Sequence, residues 1–299
     1  MRYSDSRLSV KQCLQFDLAP LKHADETSGA SPELQEHSTV LNKLTPPAAS
    51  AETSRVRRPA RGKRPPKVSC LLVTGNREAF AQCAIDAYAA QTYSHKELVI
   101  VDSGNTPLDL TNRADVPGIR YFRALSGRTL GELRNLALSL ARGEYFIQWD
   151  DDDYSAPERV QVQWEYTRNK AASIMRRVIL IWPERLYSAI SKPRLWEGTL
   201  MARRDLQLRF PPLPRAEDTP VIEGMIKARI PLGIIDEPEL YHYIYHGNNT
   251  SSRQHFAKLC AYPSIIPLPF EKVFAKLPAA LKQTLLSTRE RPAVSSSHD

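Results

Sequence analysis

Apolar and polar residues alternate along the middle of the chain in a pattern that predicts an α/β fold. Val68–Thr74 is a short, nearly continuous apolar run, which is typical of a strand buried on both faces. Residues 78–90 have helical spacing of their apolar positions, and Glu97–Asp102 is a second buried-strand pattern followed by a turn. This strand-helix-strand order predicts a parallel, right-handed unit.

The pattern then repeats through another helix and another strand. Thr129 and Glu132 match a helix capping box, and Gly143 is expected to stop that helix. Residues 144–149 form the next predicted strand, and this strand runs directly into four aspartates, Asp150 to Asp153.

Beyond these aspartates the alternation weakens. We expect a helix from about Pro157 to Asn169 and then shorter strands with long connections, over residues 178–182, 200–202 and 232–235. The sequence therefore predicts a Rossmann-type nucleotide-binding sheet followed by a mixed half that completes the site.

The two ends of the chain have a different texture. Residues 1–64 are rich in Ser, Thr, Pro, Ala and charge, and they predict a mostly disordered arm that ends in a basic, Pro-rich linker. Residues 261–299 predict a partly helical C-terminal extension with a polar tail. We accordingly divide the chain into residues 1–64, 65–260 and 261–299.

Composition is that of a globular protein, with 299 residues, 42% of them hydrophobic and 25% charged. No run of eighteen apolar residues occurs, and the first residues lack the apolar stretch of a signal peptide, so we expect a cytoplasmic protein. Four scattered cysteines without a C-x-x-C pair favour reduced thiols over zinc or disulfide frameworks.

The formal charge of +8 is concentrated in one segment. Residues 55–67 carry seven positive side chains, and the rest of the chain has a formal charge of +1. This segment has no interleaved aromatic residues for base stacking. We interpret it as a linker, or as a weak contact with an anionic membrane or partner surface, and we expect no specific nucleic acid.

Ligands of an open parallel sheet bind beyond the carboxyl ends of its strands. The polar residues that follow the predicted strands are Thr74, Asn76 and Arg77, then Asp102 and Ser103, and then Asp150 to Asp153. We expect these three groups to meet at one edge of the sheet.

Four consecutive carboxylates repel one another, so a divalent cation at Asp150 to Asp153 would stabilise their placement behind a buried strand. Oxygen ligands suit Mg²⁺ or Mn²⁺ shared with substrate phosphates, whereas the spaced pattern of a calcium loop is absent. The alternative is a solvated acidic turn that caps the following helix.

Seven motifs of the chain, in this order and spacing, resemble the family 2 glycosyltransferases of the GT-A fold. They are Val68–Arg77, Ala90–Tyr93, Glu97–Gly104, Arg134–Asn135, Gly143–Tyr145, Asp150–Asp153 and Glu217–Asp218. The resemblance covers roughly residues 67–250. It implies a GT-A-like fold, a nucleotide-sugar donor, and Mn²⁺ or Mg²⁺ as cofactor.

The resemblance also implies roles for individual residues on the donor side. Asp150 would face the ribose with Asp151 beside it, and Asp152 would bind the metal that bridges the diphosphate. The remaining implied donor-binding residues are Thr74, Asn76, Arg77, Asp102 and Arg134. The family's second acid after the second strand is Ser103 here, which leaves the base open, although a UDP-sugar is the first expectation.

Three further residues have two interpretations each. Asp218 is expected to be the general base, because an acceptor hydroxyl must lose a proton as it attacks, or else a charge at a helix N-terminus. Trp196 would stack on a sugar or belong to the core. His246 would approach the metal or phosphates, or be structural, since alternation puts it on one strand face with His242.

These residues together predict an inverting, metal-dependent glycosyltransferase with a carbohydrate, lipid-linked or protein acceptor. Two alternatives remain open at this point. One is a sugar nucleotidyltransferase, although its Gly-rich phosphate loop is poorly matched by Thr74–Arg77. The other is a non-catalytic protein that binds anionic surfaces or nucleic acid through the basic arm.

Overall fold

The predicted alternation of strands and helices is present in residues 65–289, which are the residues described by the computed structural model. The strands are β1 (Val68–Thr74), β2 (Lys96–Asp102), β3 (Ile119–Arg123), β4 (Tyr145–Asp150), β5 (Tyr154–Ser155), β6 (Ala172–Met175), β7 (Ile179–Trp182), β8 (Tyr187–Ile190), β9 (Trp196–Arg203), β10 (Leu232–Ile235), β11 (Tyr241–Ile244) and β12 (Ile266–Leu268). The helices are α1 (Glu78–Ala89), α2 (Leu130–Leu140), α3 (Arg159–Thr167), α4 (Thr219–Lys227), α5 (Arg253–Cys260), α6 (Phe270–Ala275) and α7 (Ala279–Arg289). The predicted arm, residues 1–64, lies outside the described residues.

The larger sheet has seven strands in the order β10-β6-β9-β4-β1-β2-β3. β1 pairs in parallel with β2 on one side and with β4 on the other, and β2 pairs in parallel with β3. The predicted parallel unit is therefore confirmed. Because the chain leaves β1 in one direction and returns as β4 on the opposite side, a crevice opens at the carboxyl ends of β1 and β4.

The second half of the chain completes the sheet with mixed pairing, as predicted. β9 is antiparallel to β4 and to β6, and β10 is parallel to β6. β9 begins at Trp196, earlier than the predicted start at Leu200. The polar residues Glu197 and Thr199 interrupt the apolar pattern, so this part of the strand was not predicted. Thr199 is nevertheless buried, and its hydroxyl accepts a hydrogen bond from Met175 N at 3.0 Å.

A smaller sheet of five strands has the order β12-β8-β7-β11-β5. The C-terminal helices α6 and α7 pack against it, through a buried apolar cluster that joins Phe270, Val273 and Leu281 to Ile179 and Ile244. Helices are thus present in the predicted C-terminal extension. The division of the chain at residue 260 stays a prediction.

The predicted capping box of α2 is present, since Thr129 Oγ1 accepts from Glu132 N and the Glu132 carboxylate accepts from Thr129 N. The predicted role of Gly143 is wrong. α2 already ends at Leu140, and Ala141 is extended. Gly143 serves close packing instead, because a Cβ there would lie 2.6 Å from the carbonyl oxygen of Lys67.

Helix α2 also fastens the loop that precedes α4. Gly131 N donates to Leu213 O at 3.1 Å. The side chain of Asn135 donates to Phe210 O at 2.7 Å and accepts from Phe210 N at 3.0 Å, as a neighbouring strand would. Hydrogen bonds to the backbone of this loop therefore hold it in place, although it belongs to no sheet.

A substitution at Gly131 tests this contact. A Cβ there would lie 1.8 Å from Pro211 O, so we expect Gly131→Ala to lower the free energy of unfolding by roughly 1–3 kcal/mol, the usual cost of overpacking. Gly224 in α4 has no atom within 4 Å of such a Cβ, and Gly224→Ala should raise stability by up to about 1 kcal/mol. Urea unfolding of both variants checks the contrast, and equal effects would contradict it.

Candidate active site

The carboxyl ends of β1, β2 and β4 border one cleft of about 700 Å³. Its other walls come from α2, from β9, from the loop before α4 with the start of that helix, and from β11 with the segment that follows it. The predicted site residues that line this cleft are Thr74, Arg77, Arg134, Asp150, Asp151, Asp152, Trp196 and Asp218. Asn76, Asp102 and His246 are not among its lining residues.

The last three residues of the aspartate run are buried, and Asp150 is half-buried. Asp151, Asp152 and Asp153 are 5%, 9% and 8% exposed. The alternative of a solvated acidic turn is therefore wrong. The run does not cap the next helix either, because α3 begins after Glu158, which makes no side-chain cap.

Arg77 offsets the charge of two of these carboxylates. Its Nη1 donates to Asp151 Oδ1 at 3.1 Å and to Asp152 Oδ2 at 2.8 Å, and Thr74 Oγ1 donates to Asp151 Oδ2 at 2.7 Å. Burial, followed by the charge of Asp152, raises the pKa of Asp151 to about 7. Burial also acts to raise the pKa of Asp152, but the hydrogen bond from His246 and the charge of Arg77 hold it below its ordinary value.

Tyr241 connects the first and last aspartates of the run. Its hydroxyl lies 3.1 Å from Asp150 Oδ2 and also hydrogen-bonds Asp153 Oδ2. Asp153 Oδ1 accepts from Ile244 N at 2.9 Å. Asp153 therefore anchors the run to β11.

Arg134 joins the aspartate run to the Glu217-Asp218 motif. Its Nη2 donates to Asp150 Oδ1 at 2.9 Å, and its Nε donates to Glu217 Oε1 in a short, buried ion pair. Although burial opposes it, the charges of Asp150 and Glu217 raise the pKa of Arg134, so the guanidinium stays charged. Two of the three guanidinium nitrogens of Arg134 thus bind carboxylates of the protein.

Asp218 faces the cleft from the start of α4. It occupies the N-cap position, yet its side chain makes no capping hydrogen bond. Ala216, two residues earlier, has a φ of 54°, which costs energy for a residue with a Cβ and is typical of functional sites. Burial raises the pKa of Asp218 to about 7, with Arg134 opposing and Glu217 adding to the shift. A carboxylate that titrates near neutrality can accept a proton at cellular pH.

His246 and Asp152 place two potential metal ligands side by side. His246 Nε2 lies 3.1 Å from Asp152 Oδ2, and His246 Nδ1 is buried without a hydrogen-bond partner. A carboxylate and an imidazole are ligand types that a divalent cation accepts, and Asp152 Oδ2 also accepts a hydrogen bond from Arg77 Nη1 at 2.8 Å. No group of three His, Cys, Asp or Glu side chains within residues 65–289 is arranged to hold a metal. His246 does not line the cleft, so a metal-binding role for this pair stays a prediction.

The two histidines of this segment have different surroundings, contrary to the expectation that they share a strand face. β11 ends at Ile244, so His246 lies beyond it and packs on Phe80 with ring centroids 4.2 Å apart. His242 is buried beside Tyr154, and burial lowers its pKa to about 4. His242 is thus a neutral core residue.

Asp102 is held on all sides by the protein. It accepts hydrogen bonds from Gly104 N, Leu108 N, Tyr121 and Arg123. Burial acts to raise its pKa, but these hydrogen bonds keep the pKa below its ordinary value. Its carboxylate shapes the loop after β2, and Ser103 is the residue of this loop that lines the cleft.

Asn76 and Trp196 are fixed by similar local contacts. Asn76 has a φ of 57°, a region that asparagine tolerates, and its side chain accepts from Asn105 N at 2.7 Å. Trp196 reaches the cleft with one edge, but its ring is buried in the core and Nε1 donates to Ser191 Oγ at 3.0 Å. Stacking of Trp196 on a sugar stays a prediction.

Sequence reasoning missed four residues that support the site: Tyr241, Glu217, Asn135 and Asn249. Glu217 and Asn135 lay inside two of the seven motifs, but their roles, like that of Tyr241, depend on contacts with distant parts of the chain. Asn249 Nδ2 donates to Asp152 Oδ2 at 3.3 Å, and no pattern in the sequence indicated this.

Comparison with known families identifies the domain. The family model described as Glycosyl transferase family 2 matches residues 69–216, which include β1, the aspartate run and the loop before α4. The chain carries a family 2 glycosyltransferase domain. The predicted family and the predicted GT-A-like α/β fold are confirmed.

Individual relatives of this family 2 domain are distant. A protein of Escherichia coli strain K12, named as a colanic acid biosynthesis glycosyl transferase, is 34% identical over 104 residues, which are 33% of this chain and 37% of that protein. An uncharacterized glycosyltransferase of Haemophilus influenzae is 26% identical over 100 residues, 32% of this chain and 31% of that protein. The match thus spans about a third of the length of these relatives.

Two solved structures resemble the family 2 domain at low identity. S. aureus TarS 1-349 in complex with UDP-GlcNAc has 17% identity and a TM-score of 0.49, covering 74% of this chain and 70% of that one. The mannosyltransferase PcManGT from Pyrobaculum calidifontis in complex with GDP-Man and Mn²⁺ has 18% identity and a TM-score of 0.47, covering 78% of each chain. The family assignment rests on the sequence match.

No helix among residues 65–289 is long and apolar enough to cross a bilayer.

The buried Arg134 pairs predict a large effect on stability. Arg134→Leu leaves the carboxylates of Asp150 and Glu217 without their cation, and we expect the free energy of unfolding to fall by about 3–5 kcal/mol. Arg177 pairs with Asp236 in a more exposed bridge, so Arg177→Leu should cost at most about 1 kcal/mol. Urea unfolding compares the two variants. If both variants lose a similar amount of unfolding free energy, the Arg134 ion pairs do not hold the two sides of the site together.

Proposed function

We propose that this family 2 protein is a metal-dependent, inverting glycosyltransferase that moves a sugar from a nucleoside-diphosphate sugar to an acceptor hydroxyl. One observation carries the proposal: Asp150 and Asp152, at the end of β4, line the same cleft as Asp218, at the start of α4. A cation-binding carboxylate and a carboxylate that can accept a proton thereby face one space. The acceptor would be a hydroxyl of a carbohydrate, a lipid-linked molecule or a protein.

The donor would lie along the loops after β1 and β2. Thr74, Arg77 and Asp150 line the cleft; the first two would meet the nucleotide side, and Asp150 the ribose. Asp102 would act by shaping the loop that ends in Ser103. Ser103 offers a hydroxyl where relatives have an acid. We therefore propose uracil as the first candidate for the base of the donor nucleotide and guanine as the second.

Asp152 and His246 would hold Mn²⁺ or Mg²⁺, which when bound supplies Lewis-acid stabilisation of the leaving diphosphate. Arg77 donates to the same carboxylate oxygen of Asp152 at 2.8 Å and adds a fixed positive charge on the phosphate side. The buried position of these groups strengthens their electrostatic effect, because water screens them little.

Asp218 would serve as the general base. In a single displacement, the acceptor oxygen forms a bond to the anomeric carbon, the bond from this carbon to the diphosphate oxygen breaks, and the hydroxyl proton passes to the Asp218 carboxylate. The sugar carbon is then inverted. Arg134 and Glu217 hold the chain beside Asp218 in place, because their ion pair ties this loop to β4.

Two variants test these assignments. A panel of nucleotide sugars with Mn²⁺ identifies the donor by hydrolysis, and EDTA should abolish that activity. We expect Asp152→Ala and Asp218→Asn each to lower kcat/KM by about 10²-fold or more. Asp205→Asn is the matched control, because Asp205 lies near the amino end of β4 and is exposed. Retention of activity in both site variants would refute the assignments.

The raised pKa of Asp218 predicts a pH profile. The base works only when ionised, so lowering the pH through about 7 protonates it and removes activity, whereas activity is complete above that value. We expect kcat/KM to fall about tenfold per pH unit below this point. Activity measured from pH 5 to 9 with a constant, saturating Mn²⁺ concentration checks the slope. A profile that is flat down to pH 5 would exclude Asp218 as the base.

Two other classes of function receive less support. A nucleotidyltransferase would need a Gly-rich phosphate loop after its first strand, and Thr74–Arg77 matches such a loop poorly. A surface-binding role would depend on residues 55–67, most of which lie outside the described residues.

A further inference from the structure

Arg159 is a buried cation that the proposed mechanism does not use. It is the first residue of α3 and is 0% exposed. Its three nitrogens donate to Gln163 Oε1 at 3.0 Å, Ser155 Oγ at 2.7 Å and Gln148 O at 3.0 Å. These acceptors are all neutral, and no carboxylate of residues 65–289 forms an ion pair with the guanidinium.

Two aromatic rings separate this cation from the aspartate run. Arg159 Cζ lies 4.5 Å from the ring centroid of Tyr241 and 5.2 Å from that of Trp149. Cations are attracted to the faces of such rings, more strongly when water is absent. Trp149 directly precedes Asp150, and the Tyr241 hydroxyl contacts both Asp150 and Asp153. The positive charge therefore stands directly behind the acidic run.

The placement resolves an imbalance of charge. A buried charge is costly unless an opposite charge compensates for it. Arg77 contacts Asp151 and Asp152, and Arg134 contacts Asp150. Asp153 has no cation in contact among the described residues; its partners are the Tyr241 hydroxyl and a backbone amide. Arg159 lies over the ring that carries this hydroxyl, and a cation there favours a phenol that donates to the carboxylates.

We propose that Arg159 is a positioning residue for the transfer reaction: acting through Tyr241, its buried charge holds Asp150 and Asp153 aligned and offsets their repulsion. This inference rests on the proposed function only for its effect on catalysis. Its electrostatic part concerns the protein alone. The neutral side chain of methionine, of similar length, would leave the acidic run without this compensation.

A double-mutant cycle in urea tests the electrostatic part. Arg159→Met and Asp153→Asn are made singly and together, and the cycle of Arg159→Met with Asp205→Asn is the control. We expect the double variant with Asp153→Asn to recover at least half of the loss in unfolding midpoint caused by Arg159→Met, because it lacks both the buried cation and the carboxyl group that the cation compensates. The control pair should be additive. Additive losses in the Asp153 cycle would overturn the proposal.

Donor hydrolysis tests the catalytic part. At a temperature where all variants are folded, Arg159→Met should lower kcat at least tenfold while KM for the donor changes less than threefold. Arg159→Lys, which keeps the charge, should restore kcat to within threefold of wild type. Arg120→Met, which removes a partly buried cation beside Glu97, should leave kcat unchanged.

The outcomes separate the two proposals. Equal impairment of Arg159→Lys and Arg159→Met would overturn the positioning role, because packing alone would then explain the loss. Wild-type protein that hydrolyses no donor would refute the proposed function, while the urea cycle would still decide whether Arg159 compensates the acidic run.

Discussion

The packing of four adjacent carboxylates at the end of a buried strand is the constraint on which the rest of this structure depends. Like charges so close together are tolerated only if each has a partner. Arg77 and Arg134 approach the run from opposite sides, and the Tyr241 hydroxyl bridges its first and last members. These partners come from three separate elements, so folding of the run requires that the whole sheet edge assemble.

Helix α2 connects the aspartate run to the loop on the other side of the cleft. Arg134 pairs with Glu217 while it holds Asp150, and Asn135 binds the backbone of the loop before α4. The distance between Asp150 and the loop that carries Asp218 is thus set by a single helix. A metal-binding carboxylate and a base can be useful to one reaction only if their separation is fixed in this way.

The sequence was informative where structure is local. The bounds of β1 and the capping box of α2 follow from apolar runs and short motifs, and the aspartates follow β4 as predicted. It was less informative where a residue's role depends on distant contacts. Gly143 looked like a helix stop because its neighbour Lys67 could not be foreseen, and Asn249 reaches the run from far along the chain. Periodicity carries no information about such pairs.

Binding of Mn²⁺, followed by EPR of the free ion with and without UDP or GDP, tests most directly whether the aspartate run holds a cation together with a diphosphate. We expect Mn²⁺ to bind at least about tenfold tighter with one of these nucleotides, because the phosphates complete the ligand set. Asp152→Asn should lose this gain, and Asp205→Asn should keep it. Equal Mn²⁺ affinity with and without nucleotide, or an unchanged gain in Asp152→Asn, would contradict a shared site for the cation and the diphosphate.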